Sequence, residues 1–389
     1  ILNIPTIIQR SFIINRAKKM IKNRPDLMAI GITGSYGKTS TKEFLAQILS
    51  QKFRVLKTEG SQNTQIGVAQ TIVEKLKDQE IFVCEMGAYK IGEIREICQI
   101  CRPKIGIITG LNEQHLDLFG SLKNTMKAKY ELIESLPQNG LAVFNGNNQY
   151  CLEMVEKTRE KELRIKITKN INDIKVTPER LEFEVVSKNE KQKMTAHLLG
   201  KQNVENILAA IAVAQSLGMS LKEISEAVKK LEPPDRAMKA YRNLIDDTFN
   251  ANPDGVLAAI EYMKTYSGKK ILVLTPMIEL GKMAGIAHEK VGRLAGEICD
   301  LVILTNKNYY EDFIKGIKMD EREKIIISSG EKAAEKIRAI LGKDGVSGFE
   351  GKESKRILDA MGFIRPPLAD LGNWADWPNW TNLRRKTGI

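Results

Sequence analysis

The stretch Gly31-Ile-Thr-Gly-Ser-Tyr-Gly-Lys-Thr-Ser40 decides the fold of the N-terminal half of the chain. An apolar strand over 27–33 runs into a turn containing glycine, and an amphipathic helix over 38–52 opens with Lys-Thr. This order places backbone N–H groups and a helix N-terminus around a phosphate group. The widespread phosphate loop would need a glycine at 32, where this chain has isoleucine, so a shorter loop from Gly34 to Thr39 is predicted.

Each residue type in this loop suits a nucleotide. Gly34 and Gly37 let the backbone approach the phosphates closely, and Lys38 supplies a positive charge to the β- and γ-phosphates. The hydroxyl of Thr39 can be offered to Mg²⁺. The loop predicts nucleotide binding but not the reaction, because kinases, NTPases and ligases all use such loops.

Strand and helix patterns alternate on both sides of Pro233-Pro234. The alternation predicts an α/β fold, with a central P-loop ATPase-type domain on a mostly parallel sheet and a C-terminal Rossmann-like α/β domain. Within the first half, 164–199 changes character and indicates adjacent antiparallel strands. The predicted segments are a basic amphipathic N-terminal segment (1–26), the central ATP-binding domain (27–235), a C-terminal domain that binds the amino substrate (236–361) and an atypical tail without an assigned fold (362–389).

Composition narrows the class of partner. The chain has 389 residues and a formal charge of +12, which favours an anionic ligand. Aromatic residues make up 6% of the chain and do not interleave with arginine, so nucleic acid is not expected. Five scattered cysteines do not form a disulfide framework and indicate a reducing compartment. Cys98 and Cys101 are interpreted as small apolar helix residues rather than as a zinc or redox pair.

The N-terminal segment is strongly basic. Residues 1–25 carry six lysines and arginines and no acid, interleaved with apolar residues. Such a segment can lie on an anionic bilayer, or it can be a surface helix packed on the next domain, and both interpretations are open. No run of 18 apolar residues long enough to span a membrane occurs.

An ordered series of further motifs resembles the Mur ligase family. The loop Gly34-Ser-Tyr-Gly-Lys-Thr39 resembles the G-T/S-x-G-K-T loop of that family, and the rest of the series extends the resemblance over residues 30–290. Within the family, the series is most similar to the member that adds D-alanyl-D-alanine to UDP-N-acetylmuramoyl-tripeptide. The further motifs are Asn63-Thr-Gln-Ile-Gly67, Glu85-Met-Gly-Ala88, His115-Leu116, Phe119-Gly-Ser-Leu122, Lys127-Ala-Lys129, Gly200–Ala210, Arg236, Asp246–Pro253 and Met277-Ile-Glu-Leu-Gly281.

The resemblance implies an ATP-dependent, ADP-forming carboxylate–amine ligase of peptidoglycan (cell-wall) biosynthesis. ATP would phosphorylate a substrate carboxylate, and an amine would then displace phosphate from the acyl-phosphate. The enzyme must hold two anions side by side, so cations such as Lys38 and Mg²⁺ are needed. The partners would be an anionic nucleotide-sugar peptide and an amino acid or dipeptide. The protein would be a cytoplasmic monomer. Contact with the inner membrane surface through residues 1–25 is an open possibility.

The resemblance also gives roles to residues that are unremarkable by themselves. Taken alone, Glu85 is a strand-end acid, His115 a loop histidine and Lys129 a lysine on a solvated helix face. In the family, the lysine 14 residues after the histidine is carbamylated, and 115 to 129 is 14 residues. The implied metal ligands, for two Mg²⁺ ions, are therefore Thr39, Glu85, His115 and a CO₂-derived carbamate on Lys129.

Further roles follow from the resemblance alone. Asn206 would lie near the adenine, Arg236 at the phosphates and Asp246 at the ribose, which would let ATP close the second domain onto the first. His288 is expected to be structural. The remaining residues implied for ATP are Gly34, Ser35, Tyr36, Gly37 and Ser40, and those implied for the substrates are Asn63, Thr64, Asn250, Asn252 and Glu279.

The chain departs from the family in three places. Only about 26 residues precede the ATP strand, where the family usually has a separate domain for the UDP-sugar, so either the chain is truncated or the acceptor is held differently. Thr275-Pro276 stands where Gly-Asp is usual, and Gln202 replaces a common histidine. The C-terminal strand and Lys-Gly-Ser-Arg-like loop are not apparent, and the glycines of 344–353 are expected to break that strand.

Other functions remain open on this sequence. A cyanophycin, folyl-polyglutamate or poly-γ-glutamate type of ligase would use similar ATP chemistry on other substrates. A P-loop kinase or NTPase and a non-catalytic nucleotide-binding module are alternatives of a different class.

Overall fold

The chain forms two compact units in a computed structural model. Unit 1 comprises 1–174, 182–196 and 202–234, and unit 2 comprises 175–181, 197–201 and 235–389. Within them the structure describes 4–60, 62–112, 121–159, 161–168, 174–177, 180–187, 190–234, 238–241, 243–249, 251–278 and 280–363, with side chains of the first helix from Ile8 onward.

Unit 1 is built on a parallel sheet in the order β2-β3-β1-β4-β5-β6. The central strands are continuous runs of apolar residues because helices cover both of their faces. The sheet confirms the mostly parallel α/β arrangement predicted for this half. Its strands are β1 (Met28–Thr33), β2 (Val55–Lys57), β3 (Ile81–Glu85), β4 (Ile105–Ile108), β5 (Leu141–Asn145) and β6 (Arg164–Thr168).

The helices of unit 1 follow the strands in sequence. They are α1 (Ile4–Lys22), α2 (Lys38–Leu49), α3 (Gln65–Lys75), α4 (Glu93–Cys101), α5 (Leu122–Glu134), α6 (Gln149–Thr158), α7 (Gln202–Ser216) and α8 (Leu221–Val228). Helix α1 packs against α3 and α4 through Ala17 and Ile21, which agrees with one of the two interpretations left open, a surface helix packed on the neighbouring fold. Its outer side exposes Ile8 and Phe12. None of the described helices is long and apolar enough to cross a membrane.

Glycine on two central strands lets α5 approach the sheet closely. A Cβ on Gly31 of β1 would lie 2.6 Å from a methyl carbon of Leu132, and one on Gly106 of β4 would lie 3.1 Å from the same side chain. Gly31 therefore serves the packing of a helix on the sheet and is not part of the phosphate loop.

The cysteines of unit 1 are buried thiols. Cys98 and Cys101 are buried in the core of unit 1. Burial raises the pKa of Cys98 well above its usual value, and a hydrogen bond with Cys84, followed by burial, does the same for Cys101. A thiol that stays protonated is a poor nucleophile and metal ligand. The interpretation of Cys98 and Cys101 as small apolar residues agrees with this environment.

The segment that changes character in the sequence forms strands that lie outside the parallel sheet of unit 1. The strands β8 (Leu181–Ser187) and β9 (Glu190–Ala196) are neighbours, with alternating buried and exposed residues along β8. A short strand, β7 (Lys175–Val176), precedes them.

Unit 2 is built on a mixed sheet in the order β10-β11-β15-β12-β13-β14, in which only the β10–β11 pair is antiparallel. It confirms a second α/β fold. Its strands are β10 (Lys239–Tyr241), β11 (Leu244–Asp247), β12 (Lys270–Leu274), β13 (Leu301–Leu304), β14 (Ile325–Ile327) and β15 (Val346–Glu350), and its α-helices are α9 (Pro253–Met263), α10 (Ala284–Ile298), α11 (Tyr310–Lys315), α12 (Gly330–Ile340) and α13 (Ser354–Ala360).

The strand β15 corrects an expectation from the sequence. The glycines of 344–353 do not break it; it lies between β11 and β12 in the interior of the sheet and every residue in it is buried. Gly348 faces the sulfur of Met263, 3.2 Å from where a Cβ would be, so the missing side chain makes room for α9. The glycine is here a packing residue rather than a strand breaker.

Gly292→Ala tests close helix packing in unit 2. A Cβ at this position on α10 would lie 2.1 Å from the backbone oxygen of Phe313 on α11. We expect the substitution to lower the free energy of unfolding by about 1–3 kcal/mol, as overpacking does. Chemical denaturation measures the change.

The control for this prediction is Gly285→Ala on the same helix. Its nearest contact is the carboxyl end of the Asp312 side chain at 3.3 Å, which can move, so stability should stay unchanged or rise slightly. Equal destabilisation by both substitutions would contradict the packing argument.

Candidate active site

The phosphate loop lies between the end of β1 and the start of α2. Gly37 has a φ of 76°, in the left-handed region, and it directly precedes Lys38, the first residue of α2. A Cβ on Gly34 would meet the Thr109 hydroxyl at 2.2 Å, and one on Gly37 would meet the Asn206 side chain at 2.6 Å. Only glycine fits at these two places, and the N–H groups of the first turn of α2 are available to an anion.

Contacts with the end of β4 fix the path of the loop. The Ser35 N–H donates to the carbonyl of Gly110 at 2.7 Å, and the Thr109 hydroxyl donates to the carbonyl of Tyr36. The Tyr36 hydroxyl accepts from the amide of Asn148 at 3.2 Å. Because each contact joins the loop to a strand end or a helix start of the central sheet, the loop is held in shape before a ligand binds.

Lys38 and Thr39 are the first two residues of α2. The Lys38 ammonium donates to the carbonyls of Gly34 and Ser35 at 2.9 and 3.1 Å, so it lies over the loop. Burial lowers its pKa from the usual value, and the charge of Glu85 acts in the opposite direction. Thr39 is exposed and Ser40 half-buried in the first turn of α2, where their hydroxyls can reach a bound ligand.

Glu85 lies at the carboxyl end of β3 and is 2% exposed. Its Oε1 accepts from the amide of Asn63 at 3.0 Å. Its Oε2 is buried, lies 3.3 Å from the Lys42 ammonium and has no hydrogen-bond partner. Glu85 is thus held in place through one oxygen while the other retains acceptor capacity.

Lys42 is a site residue that sequence reasoning missed. It is 0% exposed on α2, and its ammonium lies 3.2 Å from Glu43 and 3.3 Å from Glu85. Glu43 also pairs with Lys57 on β2. These four residues, Lys42, Glu43, Lys57 and Glu85, form what we call the buried ion cluster. The sequence signal for Lys42 is its position on the same helical face as Leu45 and Leu49, because a lysine on a buried face needs an anionic partner.

Asn63 and Thr64, expected at the substrate, lie beside this cluster. Asn63 holds Glu85 as described, and its carbonyl accepts from the Gly87 N–H at 2.8 Å. Thr64 is the N-cap of α3, where its hydroxyl accepts from the Gly67 N–H. Thr64 therefore has a structural role, because its hydroxyl caps the start of α3.

Lys129 does not lie on a solvated face. It is 4% exposed on α5, whereas Lys123 and Lys127 on the same helix are exposed. Burial and then the charge of Lys38 lower the pKa of Lys129 to about 7, and Glu93 acts in the opposite direction. The influence of Lys38 indicates that the two lysines share one electrostatic environment, in which the neutral amine of Lys129 is favoured over the ammonium.

Asn206 lies against the phosphate loop. Its Oδ1 accepts from the Thr41 hydroxyl at 3.2 Å, and its amide donates to Asn203 at 3.2 Å, so the two asparagines share a face of α7. Its position near the adenine stays a prediction. The residues His115, Arg236, Asn250 and Glu279, expected at the metal, nucleotide and substrates, lie outside the described residues.

In unit 2, two predicted site residues hold local structure. Asp246 is buried at the end of β11, and its Oδ1 accepts from the N–H and the hydroxyl of Thr248 at 3.2 and 2.8 Å. Asn252 is the N-cap of α9 and accepts from the Gly255 N–H at 3.0 Å.

His288 is buried. Its Nε2 accepts from the Met277 N–H, and its Nδ1 is paired with the Ala284 carbonyl, which agrees with the structural role expected for this histidine.

The donor set of unit 1 fits a magnesium ion shared with phosphates. Glu85 Oε2 is a buried oxygen without a hydrogen-bond partner, and oxygen ligands are what Mg²⁺ prefers. Among the described residues, no three His, Cys, Asp or Glu side chains are arranged as a complete metal site. A Mg²⁺ ion commonly takes one or two carboxylates and completes its shell with phosphate oxygens and water, which this arrangement permits.

Comparison with known proteins agrees with this geometry. The family model described as Mur ligase middle domain matches residues 32–214, and that described as Mur ligase, glutamate ligase domain matches 235–348. The chain is 32% identical over 286 residues to the UDP-N-acetylmuramoyl-tripeptide–D-alanyl-D-alanine ligase of Escherichia coli, covering 71% of this chain and 63% of that protein. For the Bacillus subtilis enzyme of the same name the identity is 30% over 271 residues, covering 68% and 59%. The chain thus spans about three-fifths of the length of these relatives.

Solved structures show the same fold. A crystal structure of MurF from Acinetobacter baumannii matches with a TM-score of 0.80 and 25% identity, covering 91% of this chain and 80% of that one. The Thermotoga maritima MurF ligase in complex with ADP matches with a TM-score of 0.79 at 24% identity, covering 90% and 83%.

Removing the Lys42 charge tests the buried ion cluster. We expect Lys42→Met to lower the free energy of unfolding by about 3–5 kcal/mol, because Glu85 would remain buried without its cation. Urea denaturation of the full chain measures this change.

Lys57→Met is the matched control for Lys42→Met. Lys57 contacts the same Glu43, but its side chain is 36% exposed, so the cost should be about 0–1 kcal/mol. Equal effects of the two substitutions would show that Lys42 is not the residue that compensates Glu85.

Proposed function

This chain belongs to the Mur ligase family, and we propose that it is an ATP-dependent, ADP-forming ligase that joins a carboxylate to an amine. Its substrates would be a UDP-muramoyl-peptide-type carboxylate and D-Ala-D-Ala or a similar amino component, in cell-wall synthesis. The observation that carries the proposal is the joint placement in unit 1 of the phosphate loop, the buried Glu85 and the buried Lys129. The named relatives in Escherichia coli and Bacillus subtilis support the choice of substrates.

The loop residues would act by binding and orienting the nucleotide. The ammonium of Lys38 and the N–H groups at the start of α2 face the space where the β- and γ-phosphates would lie. They stabilise the negative charge that spreads over the transferred phosphoryl group. Ser35, Tyr36 and Ser40 would complete the contacts, and Asn206 would reach the nucleotide from α7.

Magnesium is the metal that these residues would hold, with two ions expected. Glu85, Thr39, His115 and a modified Lys129 are the proposed protein ligands. When bound, the metal neutralises phosphate charge and polarises the phosphoryl oxygens. Asn63 would keep Glu85 oriented for this role, since its amide holds the carboxylate through Oε1.

Carbamylation of Lys129 would resolve an electrostatic conflict. Lys38 and a protonated Lys129 are two cations in one environment, as the lowered pKa of Lys129 reflects. The ammonium first loses one proton; the neutral amine then attacks CO₂, an N–C bond forms as one C–O π bond opens, and a second proton leaves, so that a cation becomes a carbamate anion. The carbamate would then favour a divalent metal in a place where the ammonium disfavours one.

Unit 2 would supply the remaining contacts. We propose that Arg236 binds the phosphates, that Asp246 binds the ribose, and that Asn250, Asn252 and Glu279 face the amine. These roles rest on the family resemblance, together with the burial of Asp246 at a strand end, where ligands of α/β sheets commonly bind.

The basic helix α1 is proposed as a contact for an anionic membrane surface in a protein that is otherwise cytoplasmic and monomeric. Its inner side is occupied by the core of unit 1, and its outer side carries Ile8 and Phe12 among lysines and arginines. Exposed apolar side chains beside cations suit the boundary of an anionic bilayer.

The substrate requirement of ADP release tests the function. We expect ADP release from ATP to need both a UDP-muramoyl peptide and an amine, because the acyl-phosphate turns over only when the amine attacks. A coupled assay with each component omitted in turn measures this. Amine-independent phosphoryl transfer to a stable product would identify a kinase instead, and amide formation with other acceptors would identify another ligase of the superfamily.

Lys129→Arg tests the carbamate. Arginine keeps the positive charge but its guanidinium does not lose a proton, so it cannot react with CO₂. We expect turnover to fall to background. In the unsubstituted protein, ¹³C NMR after addition of ¹³C-bicarbonate should show a lysine carbamate signal that is absent from the variant.

The control for Lys129→Arg is Lys127→Arg. Lys127 lies two residues away on the same helix and is exposed, so activity and the carbamate signal should persist. Normal turnover by Lys129→Arg would exclude the carbamate from the mechanism.

A further inference from the structure

Two acidic residues end neighbouring strands in the interior of the unit 2 sheet. Asp247 is the last residue of β11 and Glu350 the last residue of β15, and they are direct partners in the parallel register. Their side chains therefore leave the sheet on the same side. On the other flank of Glu350 its register partner is Leu274 of β12, which is apolar.

Glu350 is a buried acid without a partner. It is 0% exposed, and both of its carboxyl oxygens are buried and without a hydrogen bond. Among the described residues, no lysine, arginine or histidine forms an ion pair with Glu350 or Asp247. An isolated buried carboxylate costs several kcal/mol, so this place requires either protons or a cation.

The raised pKa values of Asp247 and Glu350 agree with the lack of a positively charged partner among the described residues. Burial, then the charge of Asp247, raises the pKa of Glu350 well above its usual value. Burial, then the charge of Asp246, raises the pKa of Asp247 to about 7. Asp246 itself is a register partner of Phe349, so it leaves the sheet on the opposite side, where Thr248 holds it.

We propose that Asp247 and Glu350 form a subsite for the protonated amino group of the incoming amine. The inference rests on the proposed function and extends it by naming where the amine's charge is recognised. The carboxyl edge of parallel strands is the usual place of ligands in such sheets. The entering ammonium group would contact the half-buried Asp247 first and the fully buried Glu350 next.

An ammonium group fits this pair better than a divalent metal does. It carries three N–H donors, which match the free oxygens of Glu350 and the carboxylate of Asp247. A magnesium or calcium ion would need six or more oxygen ligands, and no three acidic, histidine or cysteine side chains among the described residues are arranged for one.

Glu350→Gln tests the subsite through the amine. With ATP and the UDP-muramoyl tripeptide saturating, we expect the KM for D-Ala-D-Ala to rise about tenfold or more, the effect of losing a charged hydrogen-bond partner. The KM for ATP should stay within about twofold. Asp247→Asn should also raise the KM for D-Ala-D-Ala. Glu353→Gln is the control: the Glu353 carboxylate lies in the adjoining loop and accepts from Thr305 and Asn306, so this substitution should leave the KM for D-Ala-D-Ala unchanged.

A second measurement does not depend on ligation. At pH 8, ammonium chloride should raise the Tm of the unsubstituted chain above its value in sodium chloride of equal ionic strength, and Glu350→Gln should abolish this difference. The variant alone should be at least as stable as the unsubstituted protein, because it lacks the buried charge, so loss of folding will not obscure the result.

The two measurements separate failure of the subsite from failure of the proposed function. An ammonium effect that depends on Glu350, in a protein that forms no amide with any amine, would keep the cation subsite and reject the ligase. An unchanged amine KM in Glu350→Gln would overturn the subsite while leaving the ligase intact. Equal Tm values in the two salts would overturn it as well.

Discussion

The contact between Lys42 and Glu85 links the first turns of α2 to the carboxyl end of β3, and the rest of the site in unit 1 depends on it. The lysine follows the phosphate loop by four residues, and the glutamate ends a strand beside the one that feeds the loop. A buried carboxylate at a strand end is tolerated only with a compensating cation. Lys42 supplies that cation while Asn63 orients the carboxylate, so the geometry of the loop and that of its acidic neighbour are set together.

Charge is balanced differently in the two units. In unit 1, cations exceed the acids around the loop: Lys38, Lys42 and a partly protonated Lys129 face Glu43 and Glu85. That surplus suits the phosphates of a nucleotide. In unit 2 the strand ends carry acids, and Glu350 has no described counter-charge. The proposed ligase would use an anionic nucleotide, a carboxylate substrate and an amine that arrives as a cation, and the two surpluses have the signs that such reactants require.

The sequence predicted most of the fold because its regular elements repeat a strong local signal. The buried strands of unit 1 are continuous apolar runs, and the predicted strand over 27–33 and helix over 38–52 correspond to β1 (Met28–Thr33) and α2 (Lys38–Leu49). Strand β15 was wrongly expected to break, because the pattern counts glycines but cannot show that α9 and Met263 occupy the space above Gly348.

The site residues fall into two groups: those that local sequence predicts, and those whose environment depends on the tertiary structure. The loop residues were predictable from spacing, because Gly37, Lys38 and Thr39 are adjacent in the chain. Glu85 and Lys129 needed a family resemblance, since burial of a charged side chain is a tertiary property: Lys127 and Lys129 look alike in the sequence, and only the second is enclosed. Lys42 was not found because its partner Glu85 is brought to α2 by β3, and no local pattern indicates that approach.

The small size of Gly31 affects the position of the helix that carries Lys129. It lies on β1, contacts no part of the loop's polar machinery, and is small so that Leu132 can enter the space above the strand. Leu132 is three residues after Lys129 on the same helix, almost one turn away. The size of a residue inside the sheet therefore sets how closely the helix that carries Lys129 can approach β1. A single methyl group added at Gly31 would push this helix outward and displace Lys129 without changing Lys129 itself.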